Sequence, residues 1–172
     1  MARSKKKKHE NELYPYETFF ALLEYETKRA RRYDDWTTLL RLDLEAETSD
    51  KNQEPQYGAE IYAINVLNVQ LRDVDIPCRV GNEFLVLMPC TDELGARVVC
   101  ERLETLFRFE AEVYEKVSFR LNFYVGAISL PGDKSLTSKR LMDGASQALD
   151  HARENQLTKT VTVSEISNLK EQ

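Results

Sequence analysis

Residues 72–88, with the sequence RDVDIPCRVGNEFLVLM, contain the pattern that restricts the fold most. Two apolar runs, residues 76–80 and 84–88, flank the pair Gly81-Asn82. Gly and Asn tolerate the positive φ angles of two-residue hairpin turns, so this stretch predicts two adjacent antiparallel strands. The chain must therefore build part of its sheet around a hairpin, with Gly81-Asn82-Glu83 at the tip.

The patterns on either side of the hairpin predict further strands and helices. Apolar residues at three-to-four spacing indicate helices, and strict alternation indicates strands. In chain order we predict a helix from Glu17, a strand at 36–44, a polar loop at 45–58, a helix at 61–71, the hairpin, a helix capped by Thr91 or Asp92, a strand at 117–127, a loop at 131–135, a helix at 141–152 and a strand at 160–163.

The central order is strand, helix, strand, strand, helix, strand. This order is typical of the ferredoxin-like arrangement, in which helices cover one face of an antiparallel sheet. We therefore predict an α/β (α+β) fold of the ferredoxin-like or nucleotide-cyclase palm type. Its sheet is expected to be mixed but mostly antiparallel, with about five strands flanked by helices. Trp36, Phe119 and Phe123 are expected in the core.

Length and composition indicate one globular domain. The chain has 172 residues and a net charge of −5, so a nucleic-acid surface is not expected. Four lysines at 5–8 predict a disordered basic tail at 1–13, followed by a domain at 14–166 and a short tail at 167–172. No apolar run is long enough for an integral membrane segment. Three cysteines without CxxC spacing favour a cytoplasmic location over disulfides or a zinc site.

RNA-binding modules and nucleotide cyclases share this order of elements, and the residues separate them. An RNA-binding sheet would display stacking aromatics, but the hairpin strand FLVLM has none after Phe84. A cyclase palm needs carboxylates at the end of the first strand and on the hairpin turn, where they hold Mg²⁺ against a triphosphate. Asp43 and Glu83 stand at those two places, with the neutral Asn82 beside them.

The chain from about residue 16 to residue 163 resembles the GGDEF family, the diguanylate cyclases that condense two GTP molecules into cyclic di-GMP. The resemblance implies that Asp43 stands at the first metal-ligand position and that the hairpin tip corresponds to the signature turn. It rests on five stretches in the family's order: LLRLDLE, RDVDIPCRVGNEFLVLMP, VCERLETLF, NFYVGAISLPGD and LMDGASQALDHARENQ.

The signature turn departs from the family pattern. Asn82 stands where the family has a metal-binding acid, and the turn is one residue short. An amide is a poor ligand for a hard divalent cation. Residues 45–48 replace the family's guanine-reading segment, and Arg153 replaces a lysine that meets phosphate. We therefore predict no enzyme activity, no metal and no cofactor, with Asp43, Asn82 and Glu83 as remnant positions.

The family's product-inhibition motif, RxxD, is retained as Arg72-Asp73-Val74-Asp75. In the family an arginine on the following helix completes this site, at the place of Arg102. Arginine forks suit phosphate or guanine, and a carboxylate accepts from the guanine N–H edge. We expect Arg72, Asp75 and Arg102 to bind cyclic di-GMP. The alternative is a structural ion pair between Arg72 and Asp75 at a helix end.

Three functions remain open from the sequence. The first is an inactive GGDEF-like domain that binds cyclic di-GMP and relays the signal to a protein partner, as a monomer or a homodimer. The second is a protein-interaction scaffold that binds no nucleotide, and the third is a residual diguanylate cyclase. Retention of RxxD favours the first, and the altered turn disfavours the third.

Overall fold

The computed structural model describes residues 13–47, 55–109, 120–157 and 160–170. The predicted basic tail up to residue 12, Phe119 and the centre of the predicted polar loop lie outside these ranges. The elements in chain order are α1 (Tyr16–Tyr33), β1 (Thr37–Glu47), α2 (Pro55–Gln70), β2 (Ile76–Val80), β3 (Glu83–Pro89), α3 (Glu93–Phe109), β4 (Arg120–Leu130), α4 (Ser138–Glu154), β5 (Thr160–Thr162) and α5 (Val163–Lys170).

The five strands form one mixed sheet in the order β2-β3-β1-β4-β5. Three of the four strand pairs are antiparallel, and β4 pairs with β5 in parallel. Strand β1 lies at the centre, and its leucines are buried on both faces because helices cover both sides of the sheet. The predicted hairpin, the central order of elements and the mixed five-stranded sheet are confirmed.

Helices cover both faces of the sheet. Leu40 and Leu42 of β1 pack with α2 and α3 on one face, and Leu39 packs with α1 and α4 on the other. All three leucines are fully buried, and burying a leucine stabilises the fold by about 1.5–3 kcal/mol. The prediction of helices on one face therefore holds only for the helices within the strand, helix, strand, strand, helix, strand order. Helices α1 and α4 cover the other face of the sheet.

The predicted loop at 45–58 is wrong at both ends. Strand β1 continues through Glu47 because the long strand β4 pairs with it, as far as Glu47 opposite Arg120. Helix α2 begins at Pro55, and proline is favoured at a first helical position, where no hydrogen bond from its nitrogen is needed.

Two further differences concern the ends of elements. Helix α5 crosses the predicted boundary at residue 166, and Ile166 is buried against the neighbouring core. Trp36 was expected in the core but is 42% exposed, because it precedes β1, whereas Phe123 is buried as predicted. Within the described ranges, none of the helices has both the length and the apolar character needed to cross a bilayer.

Candidate functional site

The two predicted remnant carboxylates meet on adjacent strands. The register of β1 and β3 places Asp43 directly opposite Glu83, at the end of the paired region. The side chain of Asp43 is 8% exposed and that of Glu83 is 18% exposed. The sheet therefore brings together two acids that lie forty residues apart in sequence, as the cyclase interpretation required.

The hairpin tip is a tight two-residue turn. Val80 pairs with Glu83, so only Gly81 and Asn82 connect the strands. Gly81 has φ of +61°, whereas Asn82 is not among the residues with positive φ, a combination that fits a type II′ turn. Asn82 is exposed at this tip and lines the cleft beside the two acids.

A glycine on β4 lets helix α4 approach the sheet at this corner. A Cβ added at Gly126 would lie 2.2 Å from the Leu149 nitrogen and 2.4 Å from the Ala145 carbonyl oxygen, so only glycine permits this packing. Gly126 pairs with Arg41 of β1. Arg153 follows Leu149 by four residues, on the same face of the helix, and is thereby carried over the end of β1.

The guanidinium of Arg153 lies against both remnant acids. Its Nε donates to Asp43 Oδ2 at 2.7 Å, and its Nη2 donates to Glu83 Oε1 at 2.6 Å. Arg41 Nε donates to the other Glu83 oxygen, Oε2, at 2.5 Å. Two arginines thus face these two carboxylates, and Arg153 also lies 3.6 Å from the exposed carboxylate of Asp150.

The electrostatics of this corner favour the charged forms of Glu83 and Arg153. Burial raises the pKa of Glu83, but the hydrogen bonds from Arg153 and Arg41 outweigh burial and hold its pKa below the ordinary value. Burial lowers the pKa of Arg153, but Glu83 and Asp43 more than reverse this, so its pKa is raised. The network is therefore a stable internal ion cluster.

An open cleft of about 660 Å³ lies beside this cluster, between the end of β1, the hairpin tip and the start of α2. Gln56 closes one edge of the cleft. Its Nε2 donates to the Leu44 carbonyl at 3.1 Å, and its Oε1 accepts from the Ala46 nitrogen at 3.2 Å. Because β3 pairs with β1 only up to Asp43, Gln56 takes the place of a neighbouring strand beyond that point.

The divalent metal that the GGDEF resemblance implies does not fit these residues. Arg153 already supplies a cation in contact with both carboxylates, and Arg41 adds a second positive charge. Hard divalent ions require several oxygen ligands without a competing cation. Within the described ranges, no group of three or more His, Cys, Asp or Glu side chains is arranged to hold a metal.

The RxxD residues form a second ion pair, at the end of α2. Arg72 Nη2 donates to Asp75 Oδ1 at 2.8 Å, and the backbone N–H of Arg72 donates to Asp75 Oδ2 at 2.9 Å. Arg72 Nη2 also donates to Thr91 Oγ1 at 2.6 Å. The side chain of Asp75 is fully buried, whereas that of Arg72 is 48% exposed. The pair is therefore an acid fixed in the interior and an arginine directed outward.

Arg102 lies at the same end of α2. It is an exposed residue of α3, and its Nη2 donates to the Gln70 carbonyl oxygen at 2.5 Å, two residues before Arg72. The structure thus places the three predicted ligand-binding residues in one corner. Asp75 does not face solvent in this corner, so only the two arginines present groups to a ligand.

No protein-family model matches this sequence, and no curated protein sequence matches it. Solved structures do match. The diguanylate cyclase SiaD from Pseudomonas aeruginosa, solved in complex with its activator SiaC, is 23% identical with a TM-score of 0.73, over 87% of this chain and 58% of that chain. The present chain therefore spans little more than half of the SiaD chain.

Two isolated domains are covered almost completely. The GGDEF domain of DgcB from Caulobacter crescentus, in complex with c-di-GMP, is 14% identical with a TM-score of 0.69, over 95% of this chain and 98% of that chain. The GGDEF domain of FimX from Pseudomonas aeruginosa is 15% identical with a TM-score of 0.71, over 92% and 99%. This chain has the fold of a GGDEF domain, as its sequence predicted.

Sequence reasoning did not anticipate how Arg153, Arg41 and Gln56 are used. Arg153 was recognised as a replacement for a phosphate-binding lysine, but not as the partner of Asp43 and Glu83. One signal was available for Arg41, because it shares the face of β1 with Asp43 at a spacing of two. No local pattern marks Gln56, since it lay in a stretch that reads as a loop.

Proposed function

We propose that this chain is a signalling domain of GGDEF fold without cyclase activity. The supporting observation is the position of Arg153, whose guanidinium contacts both Asp43 and Glu83. In a cyclase palm these acids would bind a metal that neutralises the triphosphate. The guanidinium of Arg153 cannot replace this metal. While it is bonded to both acids, it cannot link them to the phosphate oxygens of a substrate.

The ligand that we propose for the domain is cyclic di-GMP, bound at the end of α2 by Arg72 and Arg102. Arg72 is held by Asp75 and is half exposed, and Arg102 is exposed beside it. Arginine forks of this kind suit phosphate and the guanine N7/O6 edge. Asp75 is buried, so in this proposal it orients Arg72 and does not touch the ligand.

Calorimetric titration with cyclic di-GMP and with GTP tests this proposal. We expect binding of cyclic di-GMP and weak or no binding of GTP. Each charge-assisted hydrogen bond contributes on the order of 1.5–3 kcal/mol, so Arg72→Ala and Arg102→Ala should each weaken binding about ten- to a hundredfold. Arg97→Ala is the matched control, because Arg97 is a partly exposed arginine on the same helix as Arg102. Absence of wild-type binding at high micromolar ligand would contradict the receptor function.

A protein-binding scaffold without nucleotide is the second candidate. Four aliphatic side chains near the ends of α2 and α3 favour it, each more than half exposed: Val69, Val74, Leu94 and Val98. Leu94 and Val98 are four residues apart on α3 and so share one face of that helix, and exposed apolar residues that cluster mark interaction surfaces more often than isolated ones do. SiaD, which has the same fold, is solved in complex with its activator SiaC. The identity of a protein partner, the formation of a homodimer and the cytoplasmic location stay predictions.

A further inference from the structure

A groove of about 360 Å³ lies beside Arg72 and shares no lining residue with the cleft at Asp43 and Glu83. Its lining includes Trp36, Arg72, Thr91 and Asp92. Thr91 connects two of these residues, because its nitrogen donates to the Trp36 carbonyl at 3.3 Å and its Oγ1 accepts from Arg72 Nη2 at 2.6 Å. The groove therefore joins the start of β1 to the RxxD corner through bonded neighbours.

Trp36 gives this groove an aromatic surface. It is the only tryptophan in the chain and it is 42% exposed. Indole rings normally bury most of their apolar area, and every nucleobase has a face that stacks on such a ring. A tryptophan left open in a groove beside an arginine is therefore suited to a planar ligand.

The groove also contains an accessible carboxylate. Asp92 Oδ1 accepts from the Gly95 nitrogen at 2.8 Å as the cap of α3, and no residue in the described ranges donates to its Oδ2. Asp35, a second lining acid, is already bound to Arg29 at 2.7 Å. Asp75, by contrast, is fully buried against Arg72. Asp34, the third lining acid, is exposed and is not held by a side-chain hydrogen bond within the described ranges. Asp92 is thus the lining acid that is fixed in position and still offers a free oxygen to a ligand.

Arg72 also has a hydrogen-bond donor that is available to a ligand. Its Nε and Nη2 are bonded to Asp75, Pro89 and Thr91, and no residue in the described part of the chain accepts from its Nη1. Three lining acids, Asp34, Asp35 and Asp92, make the groove unfavourable for a phosphate. The acids suit a ring with N–H donors on one edge, and Arg72 suits acceptors on another edge of the same ring.

We propose that this groove holds one guanine ring of cyclic di-GMP. The ring stacks on Trp36, its N7/O6 edge accepts from Arg72 Nη1, and its N1–H and N2–H groups donate to Asp92 Oδ2. Asp92 thereby takes the guanine-reading role that burial removes from Asp75. This inference rests on the proposed receptor function and adds to it the residues that select the base.

The experiment uses Trp36 fluorescence, which reports on this groove alone because the chain has no other tryptophan. Cyclic di-GMP should quench the fluorescence after correction for ligand absorption. Cyclic di-AMP should quench it much less, because adenine lacks the N1–H and 2-amino donors. Calorimetry on Trp36→Leu should show binding weakened roughly 5- to 150-fold, the range measured for loss of base stacking.

Asp92→Asn tests the acid without removing the helix cap, since asparagine caps as well as aspartate. We expect about tenfold weaker binding of cyclic di-GMP and a reduced preference over cyclic di-AMP. Asp73→Asn is the control, because Asp73 is an exposed acid next to Arg72 that does not line the groove. Melting temperatures close to that of the wild type would show that each variant is folded.

Two results would overturn the inference, and they differ from each other. Calorimetric binding of cyclic di-GMP without quenching, with Trp36→Leu and Asp92→Asn binding like the wild type, would place the base elsewhere and leave the receptor proposal standing. Absence of both heat and quenching would contradict the receptor proposal, and this inference with it.

Discussion

Two corners of this domain pair arginine with buried acids, and they do so in opposite ways. At the corner formed by Asp43 and Glu83, Arg153 lies between the two acids and is 32% exposed. At the RxxD corner, Asp75 is fully buried and Arg72 is 48% exposed. Both corners pair an arginine with an acid, but Arg153 is bonded to both Asp43 and Glu83, whereas Arg72 is bonded to one acid, Asp75, and is more exposed.

In the proposed function, this difference decides what each corner binds. Arg153 is bonded to both acids of the first corner, so neither Asp43 nor Glu83 is fully available to a metal. In the second corner the acid only fixes the arginine, whose remaining donors face solvent. A buried partner that orients an exposed arginine is a common preparation for binding phosphate or guanine. Under the proposed function, ion pairing therefore closes the first corner to a metal and prepares the second corner for a ligand.

The largest expected effect is on stability at the RxxD corner. Asp75→Ala removes a buried acid that accepts from the backbone and the side chain of Arg72. Because the half-exposed arginine can regain water, we expect the free energy of unfolding to fall by about 2–4 kcal/mol. Urea denaturation measures it. Asp73→Ala, at an exposed neighbouring position, should change the free energy of unfolding by less than about 0.5 kcal/mol. Equal losses in the two variants would show that the buried Asp75 does not stabilise this corner.

Arg153→Gln should open the corner formed by Asp43 and Glu83. Loss of its ion pairs should lower the free energy of unfolding by about 1–3 kcal/mol. It should also free Asp43 and the Oε1 atom of Glu83 to attract Mn²⁺, although Arg41 still holds Glu83 Oε2, so that the melting temperature rises with Mn²⁺ in the variant but not in the wild type. Arg140→Gln, on an exposed face of the same helix, is the control. A wild-type melting temperature that rises equally with Mn²⁺ would show that Arg153 does not block the metal.

A smaller effect is expected in acid. The folded pKa of Glu83 lies below its ordinary value of 4.5, so Glu83 stabilises the fold above that pH and this stabilisation is lost as the pH falls through the folded pKa. The free energy of unfolding of the wild type should therefore fall more steeply below about pH 4.5 than that of Glu83→Gln. Glu101→Gln, on an exposed position of α3, should behave like the wild type. Parallel pH curves for Glu83→Gln and the wild type would contradict the ion cluster.

The smallest effect is expected from Asn82→Asp, which restores the signature acid at the exposed hairpin tip. The free energy of unfolding should change by less than about 0.5 kcal/mol. No cyclic di-GMP should form from GTP, because Arg153 still holds Asp43 and Glu83. Product formation by this single variant would assign the loss of activity to Asn82 and not to Arg153.

The sequence predicted the elements whose signals are local. The alternation of β1 and the turn residue Gly81 indicate their structures without knowledge of distant partners. The extension of β1 to Glu47 depends on pairing with β4, and α5 has only eight residues, too few for a clear periodic pattern. These two features required tertiary structure.

The candidate sites divide in the same way. Spacing predicted that Arg72 and Asp75 would be close, since they are three residues apart, but not that Asp75 would be the buried partner. The contact of Arg153 with Asp43 joins residues 110 positions apart. It depends on the approach of α4 to the sheet at Gly126, which no pattern near either residue reveals.

The central claim is that Arg153 in contact with Asp43 and Glu83 leaves no cyclase activity, and a turnover assay tests it most directly. The wild-type protein and a Glu83→Ala control would be incubated overnight with GTP and Mg²⁺ or Mn²⁺, and the products separated by chromatography. The structure predicts no cyclic di-GMP above the control with either metal. Cyclic di-GMP that forms with the wild type and disappears in Glu83→Ala would contradict the claim.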